Sequence, residues 1–88
     1  MLTLYSKPNC TFCEKAKHWL TKNGVPFQAI DVSIDEEAKA FIVAEGHKTV
    51  PQIYYNGKIL VEGGYTGLSS YEPEQLKEMI NDAAAKSL

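Results

Sequence analysis

Residues 2–13 read Leu2-Thr3-Leu4-Tyr5-Ser6-Lys7-Pro8-Asn9-Cys10-Thr11-Phe12-Cys13, and this stretch decides the fold. Leu2 to Ser6 alternates apolar and polar residues, the period of a strand with one buried face. Lys7-Pro8-Asn9 interrupts it. From Thr11 to Asn23 the period changes to that of a helix. Phe12, Ala16, Trp19 and Leu20 recur at helical spacing, with Lys15, Lys17, His18 and Lys22 on the other faces. Gly24 follows where a helix C-terminus favours glycine. Phe27 to Val32 is then a second strand. A strand, a helix and a strand in this order form a βαβ unit, whose strands run parallel through a right-handed crossover.

Further along, Ser33-Ile34-Asp35-Glu36 matches a capping box, in which the Ser33 hydroxyl and the Glu36 carboxylate each satisfy a backbone donor. The helix it opens carries Ala38, Phe41 and Ile42 on one face and ends near Gly46. Gln52–Tyr55 and Lys58–Val61 are short strands around Asn56-Gly57, a hairpin signal because both central residues of that turn need positive φ. After Gly63-Gly64 a short helical turn is expected at Thr66–Ser70. The last helix runs from Pro73 to about Ala85, with Leu76, Met79, Ile80 and Ala83 as its buried stripe. Pro73 suits a first helical turn. The fold class is therefore α/β, in the order β-α-β-α-β-β-α, with a four-stranded mixed sheet flanked by helices on both faces. No repeat or linker divides residues 1–88, which are expected to form a single domain.

Bulk properties narrow the functional classes. The 88 residues suit one small domain, whose net stability is on the order of 5–10 kcal/mol. A formal charge of −2 with scattered lysines gives no basic patch for nucleic acid or an anionic membrane. No stretch approaches the ~20 apolar residues of a membrane span. Met1 leads into Leu-Thr-Leu-Tyr rather than a signal peptide, so a cytoplasmic location is expected.

The two cysteines stand only three positions apart, where strand one gives way to helix one. A secreted mini-protein held by disulfides carries more cysteines, spread along the chain. A structural disulfide closing so short a loop would add about 2 kcal/mol at best. A zinc site lacks its second arm, because His18 and His47 are 29 residues apart. Inert core thiols remain an alternative. The redox reading has a physical basis in the placement. The first turn of a helix leaves N–H groups unpaired and carries about half a positive charge. A thiolate at Cys10 is favoured there, with Lys7 close by, and the thiolate is the form that attacks disulfides. Cys13, one turn along, is expected to be more buried and within reach of Cys10.

Two other segments bear on the site. Thr49-Val50-Pro51 enters strand three with a proline at its first position, which sheets tolerate. Alternatively, Val50-Pro51 is cis, turning the Val50 N–H and C=O toward an extended thiol peptide that adds as a strand. Gly63-Gly64-Tyr65-Thr66 is either a loose turn after an edge strand or a close backbone approach at a helix start, which favours a carboxylate.

Taken together, Cys10-Thr11-Phe12-Cys13 with Ala16-Lys17, Thr49-Val50-Pro51-Gln52-Ile53, Asn56-Gly57-Lys58 and Gly63-Gly64-Tyr65-Thr66 resemble the glutaredoxins over nearly the whole chain. The resemblance implies a thioredoxin-like fold, a cis Pro51 and glutathione as the reducing co-substrate. It implies that Cys10 is the nucleophile and Cys13 the resolving thiol, acting on disulfide-containing or glutathionylated proteins. Lys7, Phe12, Thr49, Val50, Pro51, Gly64, Tyr65 and Thr66 would bind glutathione. Ribonucleotide reductase is a frequent partner of the family, though no residue here selects it, and a monomer is expected. Three positions depart from the common pattern. Thr11 replaces a proline, and some members lacking it carry a [2Fe–2S] cluster in a glutathione-bridged dimer. Phe12 replaces a tyrosine. Gly67 replaces an aspartate that helps hold the glutathione amino group. That last departure leaves a second electron source open, namely thioredoxin reductase.

Overall fold

The computed structural model describes residues 1–86. It contains β1 (Leu2–Ser6), α1 (Thr11–Lys22), β2 (Phe27–Asp31), α2 (Glu36–Ala44), β3 (Gln52–Tyr55), β4 (Lys58–Val61), α3 (Gly64–Ser69) and α4 (Pro73–Lys86). The four strands form one sheet in the order β2-β1-β3-β4. β1 pairs parallel with β2, Leu2 opposite Phe27 and Ser6 opposite Asp31. β3 runs antiparallel to both β1 and β4. No helix among the described residues is long and apolar enough to cross a membrane.

The period-2 pattern of β1 sorts its side chains onto two unlike faces. Leu2 and Leu4 join Ala16 and Leu20 of α1, Ile53 of β3, Val61 of β4, Leu68 of α3 and Leu76 of α4 in one apolar core. Tyr5 points the other way and meets Phe41 of α2 and Tyr54 of β3, with ring centroids 5.7 Å away in each case. That second layer is aromatic and partly polar. The Tyr54 hydroxyl lies 2.6 Å from His47 Nε2 and donates to Glu45 Oε1 at 3.2 Å, which ties the end of α2 to the sheet. Burial and then the Glu45 carboxylate push the Tyr54 phenol up to about 12.

Several element ends differ from the sequence expectation, each for a local reason. The capping box at Ser33 does not form. Asp31 Oδ1 accepts from both the Ser33 amide and the Ser33 hydroxyl, at 2.8 and 2.6 Å. Asp35 caps α2 instead, its Oδ1 accepting from the Ala38 amide at 3.0 Å. A carboxylate also meets the positive end of the helix better than a hydroxyl does. Ile34 is 80% exposed, so no burial draws it into the helix. Phe12 leaves the buried stripe of α1 and is 54% exposed, because Cys13 takes the inward slot one residue later. α3 begins at Gly64, two residues before the expected turn, with Gly63 at φ +85° leading in. The hairpin turn keeps its expected geometry, Asn56 and Gly57 both lying at positive φ.

Candidate active site

Cys10 sits at the hinge between β1 and α1. Asn9 makes the reversal at φ +56°, a conformation asparagine tolerates better than most residues. Cys10 is then the N-cap of α1, extended at φ −111° and ψ 105°. Its sulfur accepts a hydrogen bond from the Cys13 amide at 3.2 Å, taking the role usually filled by a side-chain oxygen. The Cys10 side of the pair is half-buried, whereas Cys13 has no exposed surface. The two are paired as a disulfide, their Cα atoms 5.2 Å apart. In the reduced form, burial pushes the Cys13 thiol up to about 11. Its hydrogen bond with Cys10 pushes the same way, and the Lys7 backbone opposes both. The inner thiol therefore keeps its proton at neutral pH.

One loop faces the sulfur, and segments from two other parts of the chain gather around that loop. The Val50–Pro51 peptide is cis, and the Val50 carbonyl oxygen lies 3.8 Å from Cys10 Sγ. Gly64, at φ +58°, passes so close to this loop that a Cβ there would lie 2.9 Å from the Pro51 carbonyl oxygen. Only glycine allows both the conformation and the approach. From α1, Phe12 stacks on Tyr65 of α3 with centroids 6.3 Å apart and planes 27° apart. Lys15 Nζ hangs over both rings, 5.4 and 6.0 Å from their centroids.

Between these segments lies an open cleft of about 360 Å³, within the range for small-molecule sites. The structure gathers Phe12, Thr49, Val50, Pro51, Gly64, Tyr65 and Thr66 around it. Lys7 does not line this cleft. It borders a neighbouring groove that shares Thr49 and Val50. Three contributors had no binding role assigned from the sequence, although two of them stand in the quoted motifs. Gln52, whose side-chain amide donates to the Thr49 carbonyl at 2.9 Å, and Gly63 both border the cleft. Lys15 looked like a solvated lysine, and only the α1–α3 packing places it over the aromatic pair.

Position 67 also takes on a physical meaning. Gly67 lies inside α3 against the end of β4. A Cβ there would overlap the Glu62 carbonyl oxygen, and would lie 2.9 Å from the Glu62 carbonyl carbon and 3.3 Å from Val61 Cγ1. The packing of α3 thus requires glycine, and no side chain from this position reaches the cleft. For metal or cluster chemistry, Cys10 is the one accessible thiol, and no group of three or more His, Cys, Asp or Glu residues converges among the described residues. A four-thiolate cluster would need a second chain and two thiols from outside.

A glutaredoxin family model matches residues 2–60. The gene 56 protein of Mycobacterium phage L5 is 31% identical over 81 residues, covering 91% of this chain and 72% of that protein. The hybrid peroxiredoxin hyPrx5 of Haemophilus influenzae is 34% identical over 70 residues, 80% of this chain but only 28% of its own length. Among solved structures, the holo form of glutaredoxin C1 from Populus tremula x tremuloides superposes with a TM-score of 0.73 at 25% identity, covering 96% of this chain and 78% of that one.

Proposed function

The chain belongs to the glutaredoxin family, and from that premise we propose that it is a glutathione-dependent thiol–disulfide oxidoreductase working through Cys10 and Cys13. The observation that carries the reading is the half-buried Cys10 sulfur at the N-cap of α1, beside a cleft sized for a small peptide. Cys10 as thiolate attacks one sulfur of a disulfide, forming a mixed disulfide and releasing the other sulfur as a thiolate that takes up a proton. For an intramolecular protein disulfide, Cys13 gives up its proton and attacks the Cys10 sulfur. The Cys10–Cys13 bond forms, the second substrate thiol leaves, and two electrons have passed to the substrate. For a glutathionylated protein, Cys10 takes up the glutathione, and a second glutathione releases it as glutathione disulfide.

The cleft supports a role for each side. Thr49 and Val50 offer backbone groups with which an extended tripeptide pairs as an added strand. Gly64, Tyr65 and Thr66 open α3 and receive the γ-glutamyl end, and Phe12 gives an apolar wall beside the sulfur. Lys7, in the adjoining groove that shares Val50, attracts a carboxylate of the tripeptide. The same geometry would direct thiol exchange in a cytoplasmic setting, where thiols are kept reduced.

A second reading, with thioredoxin reductase as the electron source, is favoured by Gly67, which leaves the cleft without a carboxylate for the glutathione amino group. The test is glutathione-dependent reduction of a small mixed disulfide, coupled to glutathione reductase and NADPH. Turnover that disappears in Cys10→Ser supports the first reading. No turnover with glutathione, but turnover with thioredoxin reductase, selects the second.

A further inference from the structure

Adjoining that cleft, and sharing Thr49 and Val50 with it, lies a second, smaller groove of about 160 Å³. Its floor is aliphatic, with Ile42, Val43 and Val50, and its rim is basic, with Lys7, Lys39 and Lys48. No carboxylate lines it. Three of the nine lysines of an otherwise net-negative chain are gathered here. The ion pairs among the described residues engage Lys17 and Lys77, and leave these three ammonium groups unpaired. Val43 is 62% exposed, an aliphatic residue left in water by the fold itself.

The groove is also placed to matter. It shares Thr49 and Val50 with the glutathione cleft, and Val50 is the residue whose carbonyl approaches Cys10 Sγ. The two concavities therefore meet at the loop whose Val50 carbonyl lies beside the reactive sulfur. Lys39, Lys48 and Val43 do not line the larger cleft, so even with a tripeptide there whose carboxylate reaches Lys7, this part of the groove is open to a second occupant.

We propose that this groove is a docking site for the polypeptide that carries the substrate disulfide, and that it selects an aliphatic side chain flanked by carboxylates next to that disulfide. The volume admits about one medium-sized aliphatic side chain, which fits a short contact rather than an extended interface. Unpaired lysines around an apolar floor attract acidic groups and repel basic ones, so they steer which disulfides reach Cys10. This inference rests on the thiol–disulfide exchange proposed above, but not on the identity of the electron donor. The exchange itself is balanced as before. The reduced dithiol becomes the Cys10–Cys13 disulfide, and the peptide disulfide becomes two thiols.

The test is single-turnover exchange with the protein pre-reduced by dithiothreitol and freed of excess reductant. Two synthetic peptides carry the same intramolecular disulfide and one adjacent leucine, flanked by three aspartates in one and three lysines in the other. A small neutral mixed disulfide serves as the third substrate. Three exposed charge pairs, each of the modest size usual at a surface, make the acidic peptide about tenfold faster than the basic one. That ratio shrinks as salt is raised. The double substitution Lys39→Glu with Lys48→Glu reverses the preference and changes the small substrate less than about twofold, because neither charge pairs with a neutral compound. Val43→Ser slows the acidic peptide but not a version with serine in place of leucine. Equal rates for the two peptides with the unaltered protein, or a double variant that slows all three substrates alike, would overturn the docking site while leaving exchange chemistry intact. Failure of the small disulfide to react at all would overturn the exchange reading, and the docking site with it.

Discussion

Replacing Gly67 with alanine adds one methyl group and tests the packing of α3 directly. Alanine is conformationally at ease in a helix, where it is favoured over glycine by about 1 kcal/mol. Helix propensity taken by itself would therefore make Gly67→Ala stabilising. The structure reverses the sign. The new Cβ would overlap the Glu62 carbonyl oxygen and lie 2.9 Å from the Glu62 carbonyl carbon. Both obstacles are backbone, so no side-chain rotation relieves them. Glu62 directly follows β4, whose Val61 is fully buried and paired with Ile53. Relief moves either α3 or the end of the sheet, at the upper end of the ~1–3 kcal/mol usual for overpacking. After the helix gain is subtracted, about 2 kcal/mol of stability is lost. For a domain of this size that lowers Tm by about 8–16 °C. Thermal unfolding followed by circular dichroism, on the oxidised and the reduced protein, gives the answer. An unchanged or raised Tm would refute the close approach of α3 to Glu62. Gly67→Asp, which restores the residue common in the family, carries the same Cβ. It is expected to lose at least as much stability without tightening glutathione binding.

Cys10→Ser is expected to abolish all thiol transfer, whereas Cys13→Ser retains reduction of small glutathione mixed disulfides and loses that of intramolecular protein disulfides. Equal losses in a coupled assay would contradict the division of roles. Leu4→Ala, at a fully buried position in the apolar core, should cost about 2–5 kcal/mol, read as a lower urea midpoint at unchanged slope. In the reduced protein the Cys13 thiol ionises near 11 in the folded state against an ordinary 9.0, so the folded state holds its proton more tightly. Its contribution to stability is complete below pH 9 and is lost as pH rises toward 11. Urea unfolding of the reduced protein across that window should show the loss. The same series on Cys13→Ser should lack it, and a matching slope in both proteins would assign the loss to other groups such as Tyr54.

Much of the fold was legible because its signals are local. The alternation of Leu2–Ser6, the helical spacing after Cys10 and the Asn56-Gly57 turn each depend on neighbouring residues alone, and each is found where expected. Signals that failed were those decided by competition or by distant contacts. Ser33 fits a capping pattern, but Asp31 captures its donors first. Phe12 fits a helical stripe by spacing, yet Cys13 offers the same helix a smaller residue for the inward slot, and Phe12 turns to Tyr65 instead. The early start of α3 and the requirement for glycine at position 67 arise from how α3 meets β4, which no local pattern records. The candidate site divides in the same way. The cysteine pair stands out by itself, while its neighbours come from residues 49–52 and 63–66, whose local patterns each left two readings open until the family resemblance joined them.

The aromatic layer behind the sheet bears on the site through the loop at 47–51. Tyr54 is fully enclosed at 2% exposure, and its one hydroxyl proton cannot be given to two partners. The Glu45 carboxylate accepts and has nothing to donate, so the Tyr54 proton points to Glu45. The 2.6 Å contact with His47 is then satisfied only if His47 Nε2 carries a proton and donates to the phenol oxygen. The chain of donors runs from His47 through Tyr54 to Glu45, each bond polarising the next. His47 is two residues from Thr49, where the wall of the cleft begins, and Gln52 fixes the Thr49 carbonyl from the other end of the loop. The loop that carries Val50 toward Cys10 is thus held at both ends by partly buried polar contacts, while Gly64 packs against its proline. Side chains that never touch a substrate thereby determine where the backbone facing the sulfur lies. The apolar core on the opposite face serves a different purpose, enclosing Cys13 so that its thiol keeps its proton at neutral pH.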